Sequence, residues 1–163
     1  MAKVRFQGEW KVWAATAALI AAVVGYLYVA SRPPTEDGKP LWNVEKVVDS
    51  RTFTLRGSGQ TIQFRLIGLI IPPSEAKATQ EYLTKTLQNQ WVRIEAIRED
   101  SNNVKEGFIF LSQEDMVARL IRLGLAKIDR NEQGFDVRLY MELEQEAKRQ
   151  RKGLWSQSAP GDK

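Results

Sequence analysis

FRLIGLIIPPSEA, Phe64 to Ala76, decides how this chain folds. Phe64, Leu66, Ile67, Leu69, Ile70 and Ile71 form a run apolar enough for a buried strand. Gly68 and the pair Pro72-Pro73 mark a turn and a strand end, and Ser74 is placed to cap a following helix. No acid stands between Phe64 and Ser74.

Working upstream, VEKVVD (Val44–Asp49) and TFTLR (Thr52–Arg56) have the β-branched character of strands. GSGQ then separates the second of these from TIQFRLIG (Thr61–Gly68), a hairpin signal. Downstream, Ser74–Gln88 reads as a helix. WVRIEAIRE (Trp91–Glu99) alternates apolar and charged residues as a half-buried strand does, and GFIFL (Gly107–Leu111) is a further strand. Glu114–Gly124 is a short helix with Met116, Val117, Leu120 and Ile121 as its buried stripe, ended by glycine. The last helix, Asp136–Lys152, is expected to begin with acids and end with Lys148, Arg149, Arg151 and Lys152, matching the helix dipole. Gly153-Leu154-Trp155 then stops it and returns a large aromatic to the domain. Three strands, a helix, two strands and two helices predict an α+β fold, mainly β: a five-stranded OB-type barrel with three helices.

Ahead of this domain, Val12–Ala30 (VWAATAALIAAVVGYLYVA) carries no charge. At about 1.5 Å per residue it reaches roughly 28 Å, close to the hydrocarbon thickness of a bilayer. Trp10 and Trp13 at one end and Tyr26 and Tyr28 at the other suit the two interfaces. The expectation is a single transmembrane helix at residues 12–30, behind a short flank (1–11). A proline-rich linker (31–40), the domain (41–155) and a flexible tail (156–163) follow it. A buried core helix and a cleaved signal peptide are the alternatives; the first lacks its polar face and the second has too long an apolar run. Lys3, Arg5 and Lys11 before the span outnumber Arg32 and Lys39 after it, which places the N-terminus on the cytoplasmic or stromal side. A bacterial plasma membrane, a thylakoid or a mitochondrial inner membrane would accept such a chain, and the lipid bilayer is its first expected partner.

The whole chain is +4, with 24 basic and 20 acidic residues, and residues 41–163 account for only +2. That mixed charge argues against a dedicated nucleic-acid binder. There is no cysteine and no histidine, so disulfides, thiolate metal sites and Cys- or His-based nucleophile schemes are excluded.

Four segments, VVDSRTF, FRLIGLIIPP, MVARLIRLGLAKI and EQEAKRQRKGLW, stand in the order and at the spacing of one family. Across about Val44–Trp155 the chain resembles the staphylococcal-nuclease-like (thermonuclease-like) proteins. The resemblance implies an OB barrel carrying three helices and, in active members, calcium-dependent hydrolysis of DNA or RNA phosphodiesters. It also implies which residues do that work. The family's Val-Asp-Gly-Asp-Thr is Val48-Asp49-Ser50-Arg51-Thr52 here, so a calcium-ligating aspartate has become Arg51. Its Arg-Leu-Ile-Gly-Ile-Asp-x-Pro-Glu is Arg65-Leu66-Ile67-Gly68-Leu69-Ile70-Ile71-Pro72-Pro73, so a second metal-binding aspartate is matched by Ile70 and the general base by Pro73. The Tyr-Gly-Arg that supplies a second phosphate-binding arginine aligns with Asn102-Asn103-Val104, with Lys105 next door. Asp49, Thr52 and Arg65 are the remnants.

Calcium takes about 6–8 oxygen ligands, usually with carboxylates among them, and Ile70 and Arg51 supply none. Loss of the base alone costs about 10²–10⁴ in rate, and Glu75, two positions past Pro73, points elsewhere from a first helical turn. The resemblance therefore implies a pseudo-nuclease with no metal and no cofactor.

Three local readings stay open. Arg51 pairs with Asp49 or an acidic partner, or is simply solvated. Arg65 grips a phosphate or bridges to polar neighbours. Leu69, Ile70 and Ile71 form a docking patch or belong to the core. The functional expectation is a non-catalytic, membrane-anchored domain that serves as an accessory subunit of an integral-membrane complex. The alternatives are a non-cleaving single-strand binder using Phe53, Phe64, Phe108 and Phe110, or a membrane-bound nuclease.

Overall fold

A computed structural model of the chain describes residues 9–30 and 34–156 and divides it into two compact units, residues 1–33 and 34–163. The described residues of the first unit form one helix, α1 (Glu9–Ala30), whose exposed side chains include the apolar Leu19, Ile20, Val23, Val24 and Leu27 together with Thr16 and Tyr26. Among the described residues no helix is long and apolar enough to cross a membrane. Side chains of α1 are described only for residues 16–27, and the expected span of 12–30 runs past them at both ends. Residues 1–8 of the expected flank and 157–163 of the expected tail lie outside the described residues.

The second unit starts at Pro34, earlier than the expected Leu41. Part of the expected linker is folded: β1 (Thr35–Glu36) and β2 (Lys39–Pro40) pair antiparallel about Asp37-Gly38, and Leu41 N donates to Pro34 O at 2.8 Å. The elements that follow are β3 (Trp42–Val47), β4 (Thr52–Gly57), β5 (Gln60–Leu66), β6 (Leu69–Ile70), α2 (Pro73–Leu87), β7 (Trp91–Glu99) and β8 (Lys105–Leu111). Then come β9 (Glu114–Asp115), α3 (Met116–Arg122), β10 (Lys127–Ile128), α4 (Arg138–Arg149) and a single 3-10 turn at Gly153–Trp155.

The sheet order β5-β4-β3-β7-β8 is closed by a parallel pairing of β5 with β8, in which Phe64, Arg65 and Leu66 lie opposite Lys105, Glu106 and Gly107. This is a closed five-stranded barrel with three helices in its own unit, as the element order predicts. Its interior is filled by alternate residues of the strands, among them Val44, Phe53, Leu55, Phe64, Leu66, Val92 and Ile109, all essentially inaccessible. From α3, Met116, Val117, Leu120 and Ile121 extend the same core, the stripe the sequence marks.

Several boundaries differ from the sequence reading, each for a local reason. Helix α2 begins at Pro73, not Ser74: Pro72 is the extended residue before it, and Pro73 takes the first helical position, where a missing N–H costs nothing. The segment at Glu114 is not yet helical. Glu114-Asp115 pairs with Phe110-Leu111, and the Asp115 carboxylate caps α3 by accepting from Val117 N at 2.8 Å. Helix α4 starts at Arg138, so its first turn holds no acid and only its basic end matches the dipole argument. Gly68, at φ +66°, turns the chain out of β5 and delivers Leu69-Ile70 to β10.

Candidate functional site

The mouth of the barrel is where β5, β7 and β8 converge, and it is where the family resemblance places a site. Asp49 sits in the β3–β4 turn, and its Oδ1 accepts from the backbone N–H of Arg51 and of Thr52, both at 2.8 Å. That oxygen thus serves the turn. Thr52 is buried and lies opposite Arg65 across the β4–β5 pair. Arg51 is exposed; its Nη1 reaches Leu69 O at 3.4 Å, and its guanidinium borders the mouth.

Arg65 has the bridging arrangement. Its Nη1 donates to Glu106 Oε1 at 2.8 Å and to Asp100 Oδ2 at 3.2 Å. Glu106 is held from the other side as well, Oε2 accepting from Arg98 Nε at 2.6 Å. Arg98 in turn forks onto Glu132, Nη1 to Oε1 at 2.6 Å and Nη2 to Oε2 at 3.0 Å. Acids and arginines therefore alternate, Asp100, Arg65, Glu106, Arg98, Glu132, across β5, β7, β8 and the segment after β10. The ladder borders a polar cavity of about 90 Å³, which Arg51, Arg98, Glu106, Asp129 and Glu132 line together.

The remaining family positions supply no oxygen. Ile70 is 49 % exposed at the end of β6, whereas Leu69 is buried and Ile71 is half-buried, so the apolar run divides between core and surface. Pro73 is the exposed first residue of α2, and Glu75 lies half-buried in its first turn. Val104 closes a turn whose N–H donates to Asp100 Oδ1 at 3.0 Å. The same Asp100 bonds Arg65, so the turn that would carry the second arginine contributes an acid instead.

This residue set does not fit calcium. A guanidinium at position 51 repels a cation, and Ile70 and Pro73 have no side-chain donor. Among the described residues no group of three or more acidic side chains is placed to hold a metal ion. The aromatics fare no better as a stacking platform. Phe53, Phe64 and Phe108 are buried, and half-buried Phe110 lies under the Arg93 guanidinium, 3.9 Å from ring centre to Cζ.

The ladder sets the protonation of its members. Burial pushes the Glu106 carboxyl up, but hydrogen bonds from Arg65 and Arg98 outweigh it and hold the group below its ordinary 4.5. Glu132 is held below 4.5 chiefly by the Arg98 hydrogen bonds. Asp100 is held below 3.8 by the N–H groups of Val104 and Asn102, then by Arg65. Each of these contributes stability that is present above its ordinary value and lost as pH falls through the lower folded value. Asp115 runs the other way, raised above 3.8 by burial despite the Tyr140 hydroxyl and the Val117 N–H, so its contribution is lost as pH rises past 3.8. Asp136, held down to about 2 by the Arg138 side chain, and Glu144 are lowered as well, so the lowered carboxyls outweigh the one raised. The melting temperature is expected to hold from neutrality to about pH 5 and fall below about pH 4.5, with a shallower fall in Glu106→Gln. Scanning calorimetry from pH 7 to 3 measures both; parallel curves would remove Glu106 from the account.

Glu106, Arg98 and Glu132 border the candidate site and are missed by the sequence reading. Their only signal is an acid directly after Lys105 at the head of a strand, and a pairing over 41 residues makes it meaningful.

A family model described as staphylococcal nuclease homologue matches residues 72–157. No curated protein matches the chain.

Proposed function

We propose that this chain, a member of the staphylococcal nuclease homologue family, is a non-catalytic nuclease-like domain. It works as a binding or structural accessory subunit of a membrane protein complex. The observation that carries the reading is the donor set at the barrel mouth. Arg51, Ile70 and Pro73 stand where two metal-binding acids and a general base would stand, and Val104 stands where a second phosphate-gripping arginine would. In this reading a phosphodiester at the mouth meets no general base to activate water and no set of acids to hold a metal ion against developing charge.

The membrane tether is supported by the 19 uncharged residues from Val12 to Ala30 and by the apolar side chains that α1 presents to its surroundings. In this reading the N-terminus lies on the cytoplasmic or stromal side of a bacterial plasma membrane or thylakoid.

Calcium-dependent cleavage of single-stranded DNA by the full chain is expected to equal the no-protein control, and Arg65→Ala to leave it there. Measurable cleavage that Arg65→Ala abolishes would sink the non-catalytic half of the reading. The subunit half is tested by mild-detergent extraction of the native membrane, followed by native sizing and mass spectrometry. A large stoichiometric assembly is expected. Migration alone, at the mass of one chain plus detergent, overturns it.

A further inference from the structure

The ladder at the mouth is more than a set of ion pairs. Glu106 presents its two oxygens to two guanidiniums from different strands, Arg65 Nη1 on Oε1 at 2.8 Å and Arg98 Nε on Oε2 at 2.6 Å. That is the contact pattern two arginines would offer a phosphate. We propose that the barrel mouth holds an anion site built from Arg65 and Arg98, which Glu106 fills from within, so that the chain's own carboxylate excludes phosphate and nucleic-acid backbone.

Three features point to it. The occupant is fixed by the fold: the parallel closure sets Glu106 directly opposite Arg65, so the carboxylate is delivered by the backbone register. The second cation comes from β7, Arg98 Nε meeting at 2.6 Å the Glu106 oxygen that Arg65 leaves free. Lastly, Arg98 is itself anchored, its other nitrogens bonding Glu132, whose Oε1 also accepts from Gln133 N and Gly134 N at 3.0 and 2.9 Å. Removing the charge of Glu106 therefore leaves two guanidiniums still aimed at one point rather than free to swing away. Asp100 and Glu132 remain as flanking acids, so the opened site holds a single phosphate group and does not become a broad basic patch.

The inference goes beyond the subunit reading, because binding is measured with divalent metals chelated and needs no partner. The probes are inorganic phosphate and a single-stranded ten-nucleotide DNA, titrated into the full chain in mild detergent and followed by calorimetry. Wild type is expected to bind neither at millimolar probe. Glu106→Gln is expected to gain at least about tenfold affinity for phosphate, the ratio one charge-assisted hydrogen bond supplies. For the oligonucleotide the gain falls steeply with salt. Binding of the oligonucleotide but not of free phosphate would identify a nucleic-acid backbone as the source of the anion. Arg98→Gln added to Glu106→Gln should erase the gain. Asp100→Asn, which loosens Arg65 but leaves Glu106 in place, should show none. Glu106→Asp retracts the carboxylate by one methylene and gives a smaller gain in the same direction, should Glu106→Gln fold poorly. Equal affinity in wild type and both Glu106 variants, or a gain in Asp100→Asn as large as in Glu106→Gln, overturns the proposal.

Discussion

Gly107→Ala is expected to lower the unfolding free energy of the barrel unit by about 3 kcal/mol, at the upper end of what overpacking costs. Gly107 lies on β8 where the barrel closes, paired with Ala96 of β7 on one side and with Leu66 of β5 on the other. A β-carbon there would stand 2.0 Å from Glu95 O and 2.9 Å from Ala96 Cα, both backbone atoms of the adjoining strand. No rotamer relieves such an overlap, so β7 and β8 must separate. The β7–β8 register already shifts between Ala96 and Arg98, and Ile67 N donates to Gly107 O at 3.0 Å, so the displacement reaches both neighbours. Reduced chain entropy in the unfolded state offsets at most about 1 kcal/mol. Against the roughly 5–15 kcal/mol that holds a domain together, the deficit is large. Urea unfolding measures it as a fall in midpoint with the slope retained; a loss below about 1 kcal/mol would mean that the strands part easily. Because Glu106 is the preceding residue, the same variant should also loosen the ladder.

That glycine shows where the sequence is legible and where it is not. Period-two alternation marks Trp91–Glu99, a continuous apolar run marks the stretch from Phe64, and the 3.6-residue stripe of Met116, Val117, Leu120 and Ile121 marks α3, because each is a property of neighbours along the chain. The element order then leads to a five-stranded barrel. Gly107 reads from sequence as the start of a strand, whereas it lies inside one that begins at Lys105. Its reason, an adjoining backbone at hard contact, belongs to another strand. The site divides the same way. Arg51, Ile70, Pro73 and Val104 are found by motif, since their significance lies in what a local pattern would have at those positions. Glu106 matters only through Arg65 and Arg98, and that relation exists once β5 and β8 pair in parallel. The two-residue strands β6, β9 and β10 are too short for any periodicity, and β6 is set by a partner far along the chain, Ile70 lying opposite Lys127, 57 residues on.

Glu144→Ala carries the other large effect, also about 3 kcal/mol, and it reaches the mouth from a distance. Glu144 is 4 % exposed on α4, and both of its oxygens are used. Oε2 accepts from Ile128 N at 3.1 Å, while Oε1 accepts from Lys148 Nζ at 2.6 Å and lies 3.7 Å from the Arg130 guanidinium. Burial raises this carboxyl, but the Lys148 and Ile128 bonds prevail and keep it ionised below its ordinary 4.5. Truncation removes one buried charge and strands two donors, the N–H of β10 and a lysine only 30 % exposed, which is the costly way to break such a pair. Glu144→Gln keeps an acceptor for Ile128 N and should lose about 1 kcal/mol. Adding Lys148→Met to Glu144→Leu should recover part of the loss, because the stranded lysine is removed while only the Ile128 N–H still lacks its acceptor. Lys148 also lies 4.5 Å from the ring centre of Trp155, so the alanine variant should shift that tryptophan's emission. Urea unfolding of the three variants separates these cases; equal losses in Ala and Gln would show that the carboxylate charge, not the acceptor for Ile128 N, is what matters. The effect on the mouth follows from pairing. β10 is the strand that holds β6, Lys127 opposite Ile70 and Ile128 opposite Leu69. A helix at the far end of the sequence thus helps to fix the position of Ile70, the half-exposed apolar residue at the end of β6.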